Sequence, residues 1–265
     1  MHWPQRIICM TEETVETLYL LGQQDRIAGI SGFTVRPPQA RKDKPKVSAF
    51  TSAKIPKILD LKPDLVLGFS DLQADIAAQL IKHGIEVYVF NQRSVAGILR
   101  MIRTLGRLVD ASEEAEVLAQ RYEAKIAALK NKTRDWQHKP IVYFEEWYDP
   151  IISGIGWVSE LIEIAGGIDC YAENAQHQGA KGRIIANPLE VVTKAPDIII
   201  GSWCGKRFHP HKVAERNGWE NVPAVMNNHV HEIKSANILQ PGPAALTDGL
   251  DQLHAAIEKW HIENQ

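Results

Sequence analysis

A nine-residue motif occurs once in each half of this chain and limits the folds that it can adopt. Residues 62–70 read KPDLVLGFS and residues 195–203 read APDIIIGSW, so the two copies start 133 positions apart. Each copy places a Pro-Asp step before an apolar run that ends in glycine, and each follows an amphipathic helical segment. Chance similarity between two βα segments is the alternative. The repeat predicts two similar α/β units within one chain.

A single charged helix is predicted between the two copies, from Asp110 to about Thr133. Asp110 and Glu113 have the spacing of a capping box, and no glycine or proline interrupts the segment. Apolar residues recur at spacings of three and four, at Ala115, Leu118, Tyr122, Ile126 and Leu129. At ~1.5 Å per residue the helix would reach roughly 30 Å. We interpret it as a spacer that holds two lobes apart, with the working site in the cleft between them; an ordinary surface helix within one domain is the alternative.

The rest of the pattern alternates strands and helices. Apolar runs such as residues 65–69 and 141–147 are separated by helical segments, which is typical of parallel βαβ units. Residues 32–47 hold three prolines and a basic run, so we predict a surface loop there. The predicted fold class is α/β, with two Rossmann-like lobes that have parallel sheets and are joined by one long α-helix. The predicted bounds are residues 1–109 for the N-terminal lobe, 110–136 for the linking helix and 137–265 for the C-terminal lobe.

Composition narrows the classes of function. With 265 residues, 45% of them hydrophobic and 23% charged, the chain has an ordinary globular composition. A net charge of −2 gives no electrostatic reason to expect nucleic acid or an acidic membrane as a partner. The three cysteines are too few for a disulfide framework and suit a reducing compartment. No apolar run approaches a membrane span of ~20 residues, and the N-terminus does not resemble a secretory leader. We therefore expect a cytoplasmic protein, or a periplasmic one if a leader has been removed.

Candidate ligand contacts lie just after the predicted strands, because open parallel sheets bind ligands at the carboxyl ends of their strands. These positions are rich in aromatic residues, whose large flat surfaces favour a bulky planar ligand. Trp157 and Trp203 have an alternative role as caps of the cores of their lobes. Lys206 and Arg207 could meet a carboxylate or phosphate of the ligand. The predicted ligand-binding residues are Glu12, Phe33, Phe50, Phe69, Trp147, Trp157, Trp203, Arg207 and Asn237.

Two groups of residues suggest other chemistry. Cys204, His209 and His211 could supply thiolate and imidazole ligands to zinc, iron or cobalt, although their spacing matches no strong metal signature. A metal-dependent enzyme or cofactor-processing protein that uses these residues is one alternative function, and an intracellular ligand sensor is another. Glu145 and Glu146 end a strand, but alternation sends one to each face, so a solvated pair is favoured over paired catalytic carboxylates.

Several longer stretches carry a family likeness. In the first half they are RIICMTEETVETLYLLGQQDRIAGIS, PPQA at 37–40, VSAF at 47–50 and KILDLKPDLVLG; in the second half they are SGIGWVSELIEIAGGIDCY and PLEVVTKAPDIIIG. In this order they resemble the cobalamin and ferric-siderophore substrate-binding proteins of ABC transporters. The resemblance implies two α/β lobes bridged by one long helix, a rigid cleft between them, and a binding protein rather than an enzyme. We further expect no intrinsic cofactor and a monomer.

The resemblance further implies a ligand and its contacts. It favours a corrinoid such as cobalamin, with an iron-siderophore or other ferric chelate, or haem, as the second choice. Phe33 stands where the family has a tyrosine before its Pro-Pro step, and Phe50 stands where it has a tryptophan, so both positions remain aromatic. Family members dock on membrane subunits through one glutamate per lobe. The corresponding residues here are Pro56 and Leu189, which argues against ABC transporter membrane subunits as partners.

Overall fold

The computed structural model describes residues 3–265, which divide into two α/β units. The first unit comprises the chain up to Gln92 together with Ala96–Arg121, and the second comprises Arg93–Val95 and Tyr122–Gln265. Each unit has its own five-stranded sheet, so the predicted α/β class with two Rossmann-like lobes is confirmed. The predicted bounds at residues 109 and 136 stay a prediction. Within residues 3–265, every helix is too short or too polar to cross a lipid bilayer.

The first unit is built on five parallel strands. In chain order its elements are β1 (Ile7–Cys9), α1 (Glu12–Leu20), β2 (Ile27–Ser31), α2 (Pro38–Asp43), β3 (Lys46–Ser48), α3 (Ile55–Asp60), β4 (Leu65–Phe69), α4 (Ala74–Lys82), β5 (Val87–Phe90) and α5 (Val95–Leu108). The strand order is β3-β2-β1-β4-β5. Strands β1 and β4 are buried along their whole length, as expected for central strands of a parallel sheet.

The segment at residues 32–47 is more ordered than the sequence predicts. It contains α2 and most of β3, so the prediction of a continuous surface loop is wrong. Pro38 occupies the first turn of α2, where a missing amide costs nothing because that amide would have no partner within the helix. Val47 is buried in β3, which pairs with β2 at the edge of the sheet.

The helix predicted after Asp110 is confirmed as α6 (Ser112–Thr133). Its predicted apolar stripe is buried at four positions and half-buried at Leu129. The capping box at Asp110 is wrong, because Asp110 has a left-handed φ of 58° and the Ala111 carbonyl accepts the first helical bond, from Ala115. The helix crosses from the first unit to the second at Arg121. Its role as a spacer stays a prediction.

The second unit is built on a mixed sheet. Its elements are β6 (Ile141–Tyr148), β7 (Ile151–Ser153), α7 (Gly156–Ala165), β8 (Ile168–Asp169), α8 (Ala172–Ala175), α9 (Leu189–Lys194), β9 (Ile198–Gly201), α10 (Pro210–Ala214), α11 (Pro223–Met226), β10 (Val230–Glu232), α12 (Ser235–Ile238) and α13 (Leu250–Glu263). The strand order is β10-β9-β6-β7, with β8 also paired to β6. All of these pairs are parallel except β6 with β7, which form an antiparallel hairpin.

The sequence repeat is also a structural repeat. Lys62 and Ala195 both adopt left-handed φ angles, of 47° and 45°, directly before the Pro-Asp steps. The carboxylate of Asp64 accepts hydrogen bonds from the backbone amides of Gln5 at 2.6 Å and Arg6 at 2.9 Å, just before β1. The carboxylate of Asp197 accepts from the amide of Ile141, the first residue of β6, at 2.8 Å. In each copy the aspartate therefore holds the amino end of the neighbouring strand through hydrogen bonds. The similar sequences of the two copies correspond to this shared contact.

Candidate functional site

Two exposed phenylalanines follow adjacent strands of the first unit. Phe33 comes after β2 and is 64% exposed, and Phe50 comes after β3 and is 37% exposed. Strands β2 and β3 are parallel neighbours, so both rings lie at the carboxyl edge of the sheet. Phe69, the last residue of β4, is only 5% exposed. Phe33 and Phe50 therefore offer apolar surface at this edge, whereas Phe69 belongs to the core.

Glu12 holds the loop that carries Phe33. Its carboxylate is buried in the first turn of α1 and accepts hydrogen bonds from the backbone amides of Val35 and of Arg36, the latter at 3.2 Å. Burial raises the pKa of Glu12 to about 7, although these hydrogen bonds oppose the shift. The sequence predicts Glu12 as a ligand contact. The structure instead directs its carboxylate to the backbone of the loop.

Gln73 plays the corresponding part for Phe50. Its side chain is fully buried, accepts from the amide of Phe69 at 2.9 Å and donates to the carbonyl of Phe50 at 2.8 Å. It lies in a single 3₁₀ turn directly before α4. Sequence reasoning missed this residue, since an isolated glutamine after a strand carries no recognisable signal.

An aromatic cluster occupies the carboxyl end of β6 in the second unit. The ring of Tyr148 lies 5.0 Å from that of Trp147 and 4.6 Å from that of Trp203, and Trp203 meets Phe208 edge-on at 5.0 Å. Trp147 and Tyr148 are half-buried, whereas Trp203 is only 4% exposed. Contact with a ligand at this cluster is therefore available on Trp147 and Tyr148, with Trp203 packed against Tyr148 within the core.

An exposed lysine, Lys206, adjoins the aromatic cluster. The ammonium group of Lys206 lies 5.0 Å from the ring centroid of Trp147 and 5.1 Å from that of Tyr148, which is cation–π distance. It also donates a hydrogen bond to the Tyr148 hydroxyl at 2.8 Å. Arg207 follows it in the chain and is exposed. The cluster thus combines flat apolar surface with positive charge at its edge.

Glu145 and Glu146 do not form a solvated pair, so that expectation is wrong. Glu145 is fully buried and accepts two hydrogen bonds from the guanidinium of Arg216, at 2.5 and 2.8 Å. Its carboxylate also accepts from the indole of Trp203 at 2.9 Å. Glu146 forms a second ion pair with the buried guanidinium of Arg183, at 2.5 Å. Both carboxylates therefore have structural partners, and the alternation of faces that the sequence predicts explains why the partners differ.

Trp157 is hydrogen-bonded to the short helix α12, which contains Asn237. Trp157 is 3% exposed, and its indole nitrogen donates to the carbonyl of Ile238 at 2.8 Å. Asn237 is half-buried beside that residue. Trp157 therefore belongs to the core, which is one of the two roles that the sequence leaves open for it. Its ring has almost no accessible surface for a ligand.

The structure does not gather the proposed metal ligands. Cys204 and His211 are exposed and His209 is half-buried, and the rings of the two histidines lie 5.5 Å apart. Across the described part of the chain, no group of three or more His, Cys, Asp or Glu side chains is arranged to hold a metal ion. The arrangement therefore gives no support to the metal-dependent alternative.

A cavity of about 480 Å³ adjoins the aromatic cluster within the second unit. Tyr148 lines both the cavity and the cluster, and Arg216 and Trp219 also line the cavity. The Arg216 guanidinium lies 4.7 Å above the Trp219 ring. A volume of this size falls within the range of small-molecule pockets.

Comparison with known proteins identifies the family. A family model described as periplasmic binding protein matches residues 7–236. This chain belongs to the periplasmic binding protein family. Such proteins bind ligands, so the periplasmic binding protein assignment supports a ligand-binding protein, as the sequence resemblance predicts.

Individual periplasmic binding proteins show what the chain is similar to. It is 28% identical over 244 residues to a vitamin B12-binding protein of Vibrio campbellii, covering 89% of this chain and 84% of that one. It is 26% identical over 260 residues to an uncharacterized ABC transporter substrate-binding lipoprotein of Bacillus subtilis, covering 96% and 80%. The solved structure of the periplasmic heme-binding protein RhuT from Roseiflexus superimposes with a TM-score of 0.81 at 22% identity, covering 96% and 99%. These likenesses extend over nearly the whole chain.

Proposed function

We propose that this periplasmic binding protein binds a bulky planar metal chelate, and that a corrinoid is its preferred ligand. The observation that carries the proposal is the presence of accessible aromatic rings at the carboxyl edges of both sheets: Phe33 and Phe50, which are exposed, in the first unit, and Trp147 and Tyr148, which are half-buried, in the second. The similarity to vitamin B12-binding proteins supports the choice of a corrinoid.

Burial of flat apolar surface would supply most of the affinity. Each Å² of apolar surface removed from water contributes ~25 cal/mol, so a few hundred Å² corresponds to roughly 8 kcal/mol before the costs of association. Glu12 and Gln73 fix the backbone around Phe33 and Phe50, which limits the conformational entropy lost on binding. Preorganised rings of this kind suit a rigid ligand.

Haem is the second candidate, and the positive charge beside Trp147 favours it. Haem carries carboxylates, and Lys206 offers an ammonium group at the edge of the aromatic cluster, with the exposed Arg207 next to it in the chain. The structural similarity to a heme-binding protein agrees with this candidate at the level of the fold.

We also propose that ABC transporter membrane subunits are not partners of this protein, because Pro56 and Leu189 stand where the sequence resemblance implies one docking glutamate per lobe. Pro56 lies in the first turn of α3, and Leu189 begins α9 with 51% of its surface exposed. Neither side chain can pair with an arginine. Restoring the carboxylates with Pro56→Glu and Leu189→Glu would test this idea in a pull-down with detergent-solubilised vitamin B12 transporter subunits. Binding that is equally strong without the two glutamates would contradict it.

Titration with cyanocobalamin, haemin and a ferric siderophore tests the ligand assignment. Visible absorption and tryptophan fluorescence report the bound chelate, and we expect the tightest binding for cyanocobalamin. Phe50→Ala and Trp147→Ala should each weaken binding roughly 10- to 30-fold, because truncation of an aromatic anchor typically costs ~2 kcal/mol. Tyr88→Ala is the matched control, since Tyr88 is 39% exposed on β5. Unchanged affinity in both test variants would refute the proposal.

A further inference from the structure

The buried side chain of Gln73 connects three separate backbone segments at the carboxyl edge of the first sheet. Its Oε1 accepts from the amide of Phe69 at 2.9 Å, at the end of β4. Its Nε2 donates to the carbonyl of Phe50 at 2.8 Å and, more weakly, to that of Met10 at 3.5 Å, just after β1. One amide group therefore ties the loop after β3 to the ends of two central strands.

The Phe50 loop is short, and its conformation fixes where the ring points. The amide of Ala49 donates to the carbonyl of Ser52 at 2.7 Å, which closes a turn with Phe50 inside it. A bridge between Ser48 and Ala53 closes the same loop at its base. The bond from Gln73 reaches the carbonyl of Phe50 itself, so it acts on the residue whose ring is exposed.

The neighbouring strand leaves space for this amide. A Cβ atom at Gly68 would lie 2.9 Å from Oε1 of Gln73 and 3.0 Å from the terminal methyl of Met10. The first contact is too short unless the glutamine side chain moves, and the second requires a small shift of the Met10 methyl. The glycine of the repeat motif thus has a local purpose in the first unit, which is to admit the Gln73 side chain.

The chemistry of the contact requires a carboxamide. The Phe69 amide needs an acceptor, whereas the Phe50 carbonyl needs a donor, and a glutamine side chain supplies both. Because Gln73 is fully buried, water does not readily replace either bond. A methionine of similar length would fill the space and supply neither bond.

We propose that Gln73 is a positioning residue for ligand binding, which holds the Phe50 ring in its binding orientation through the backbone of the loop. The inference rests on the proposed function, because it takes Phe50 as a ligand contact. Gln73 itself would touch no ligand, since its side chain is fully buried.

A double-mutant cycle with cyanocobalamin as the first probe and haemin as the second tests this role. Gln73→Met should weaken binding about 10-fold in the wild-type background and should have almost no effect when Phe50 is already alanine. Gly68→Ala, which displaces the glutamine without removing it, should act in the same direction. Gln79→Met is the matched control, because Gln79 is exposed and its side chain donates to the Asp75 carbonyl within the same helix. Equal losses in both backgrounds, or no loss at all, would overturn the inference.

Hydrogen exchange without any ligand provides a second readout. Gln73→Met should speed exchange of the Ala49 amide at least about 10-fold, while exchange at the central strand residue Ile8 stays unchanged. Unchanged exchange at Ala49 would overturn the inference whether or not either probe binds. Phe50→Ala alone separates the two claims. If it leaves affinity unchanged while exchange responds as expected, Phe50 is not a ligand contact, but Gln73 still fixes the conformation of the loop.

Discussion

Removal of Arg216 should be among the most damaging single changes in the second unit. Its guanidinium forms two hydrogen bonds with the fully buried carboxylate of Glu145, and its own side chain is 18% exposed. Arg216→Met would leave Glu145 in the core with two remaining side-chain donors among residues 3–265, the Tyr143 hydroxyl and the Trp203 indole, each at 2.9 Å. Breaking a buried ion pair typically costs ~3–5 kcal/mol. Since those two donors remain, we expect the lower end, about 3 kcal/mol.

The same geometry predicts that a second substitution restores stability. Glu145→Gln removes the uncompensated charge and keeps an oxygen for Trp203, so the double variant should regain about 2 kcal/mol over Arg216→Met alone. Urea unfolding followed by tryptophan fluorescence measures both values, and six of the seven tryptophans lie in the second unit. Arg207→Met is the control, since Arg207 is exposed. A cost below ~1 kcal/mol for Arg216→Met, or a double variant less stable than this single variant, would refute the reasoning.

Three further predictions concern charge, packing and ligand choice. Burial raises the pKa of Glu12 from 4.5 to about 7, so the folded chain binds more protons than the unfolded chain between those values, and stability should fall as pH rises through that window. Glu12→Gln should reduce the difference between urea midpoints at pH 5 and pH 8, and an undiminished difference would contradict the assignment. Gly201→Ala would place a Cβ 1.9 Å from the ring of Phe208 and should cost ~1–3 kcal/mol, whereas Gly179→Ala, with nothing within 4 Å, should cost far less in the same denaturation. Lys206→Ala should weaken haemin several-fold more than cyanocobalamin in parallel titrations, and equal losses would exclude a charge-specific role.

The fold was largely accessible from the sequence because its strongest signals are local. The spacing of apolar residues placed α6, and the Pro-Asp-apolar-Gly pattern marked both β4 and β9. The ends of the helices were harder to predict from the sequence, as Asp110 shows. Whether such a residue caps a helix or adopts a left-handed turn depends on how the preceding helix ends.

The site was only partly accessible, for a different reason. Phe33 and Phe50 follow strands and Trp147 lies near the end of β6, and their rings are exposed or half-buried. Trp203 also follows a strand and Trp157 lies in the first turn of a helix after one, yet both are buried. Aromatic residues at strand ends look alike in sequence, and only tertiary packing separates them.

The polar residues that support the site were the hardest to predict from the sequence. Gln73 meets its carbonyl partners 23 and 63 residues away in the chain, and Arg216 meets Glu145 at a separation of 71. Hydrogen bonds over such separations leave no periodic pattern. Residues of this kind are found from geometry.

The Pro-Asp step, which occurs once in each half, has a consequence for how such a chain can evolve. In both sheets the aspartate fastens strands at the amino end, while the exposed aromatic rings stand at the opposite end. Replacement of one aromatic side chain therefore leaves the fastening untouched. Substitutions that change the ligand could therefore accumulate in either half separately, while the hydrogen bonds of the two aspartates stay the same.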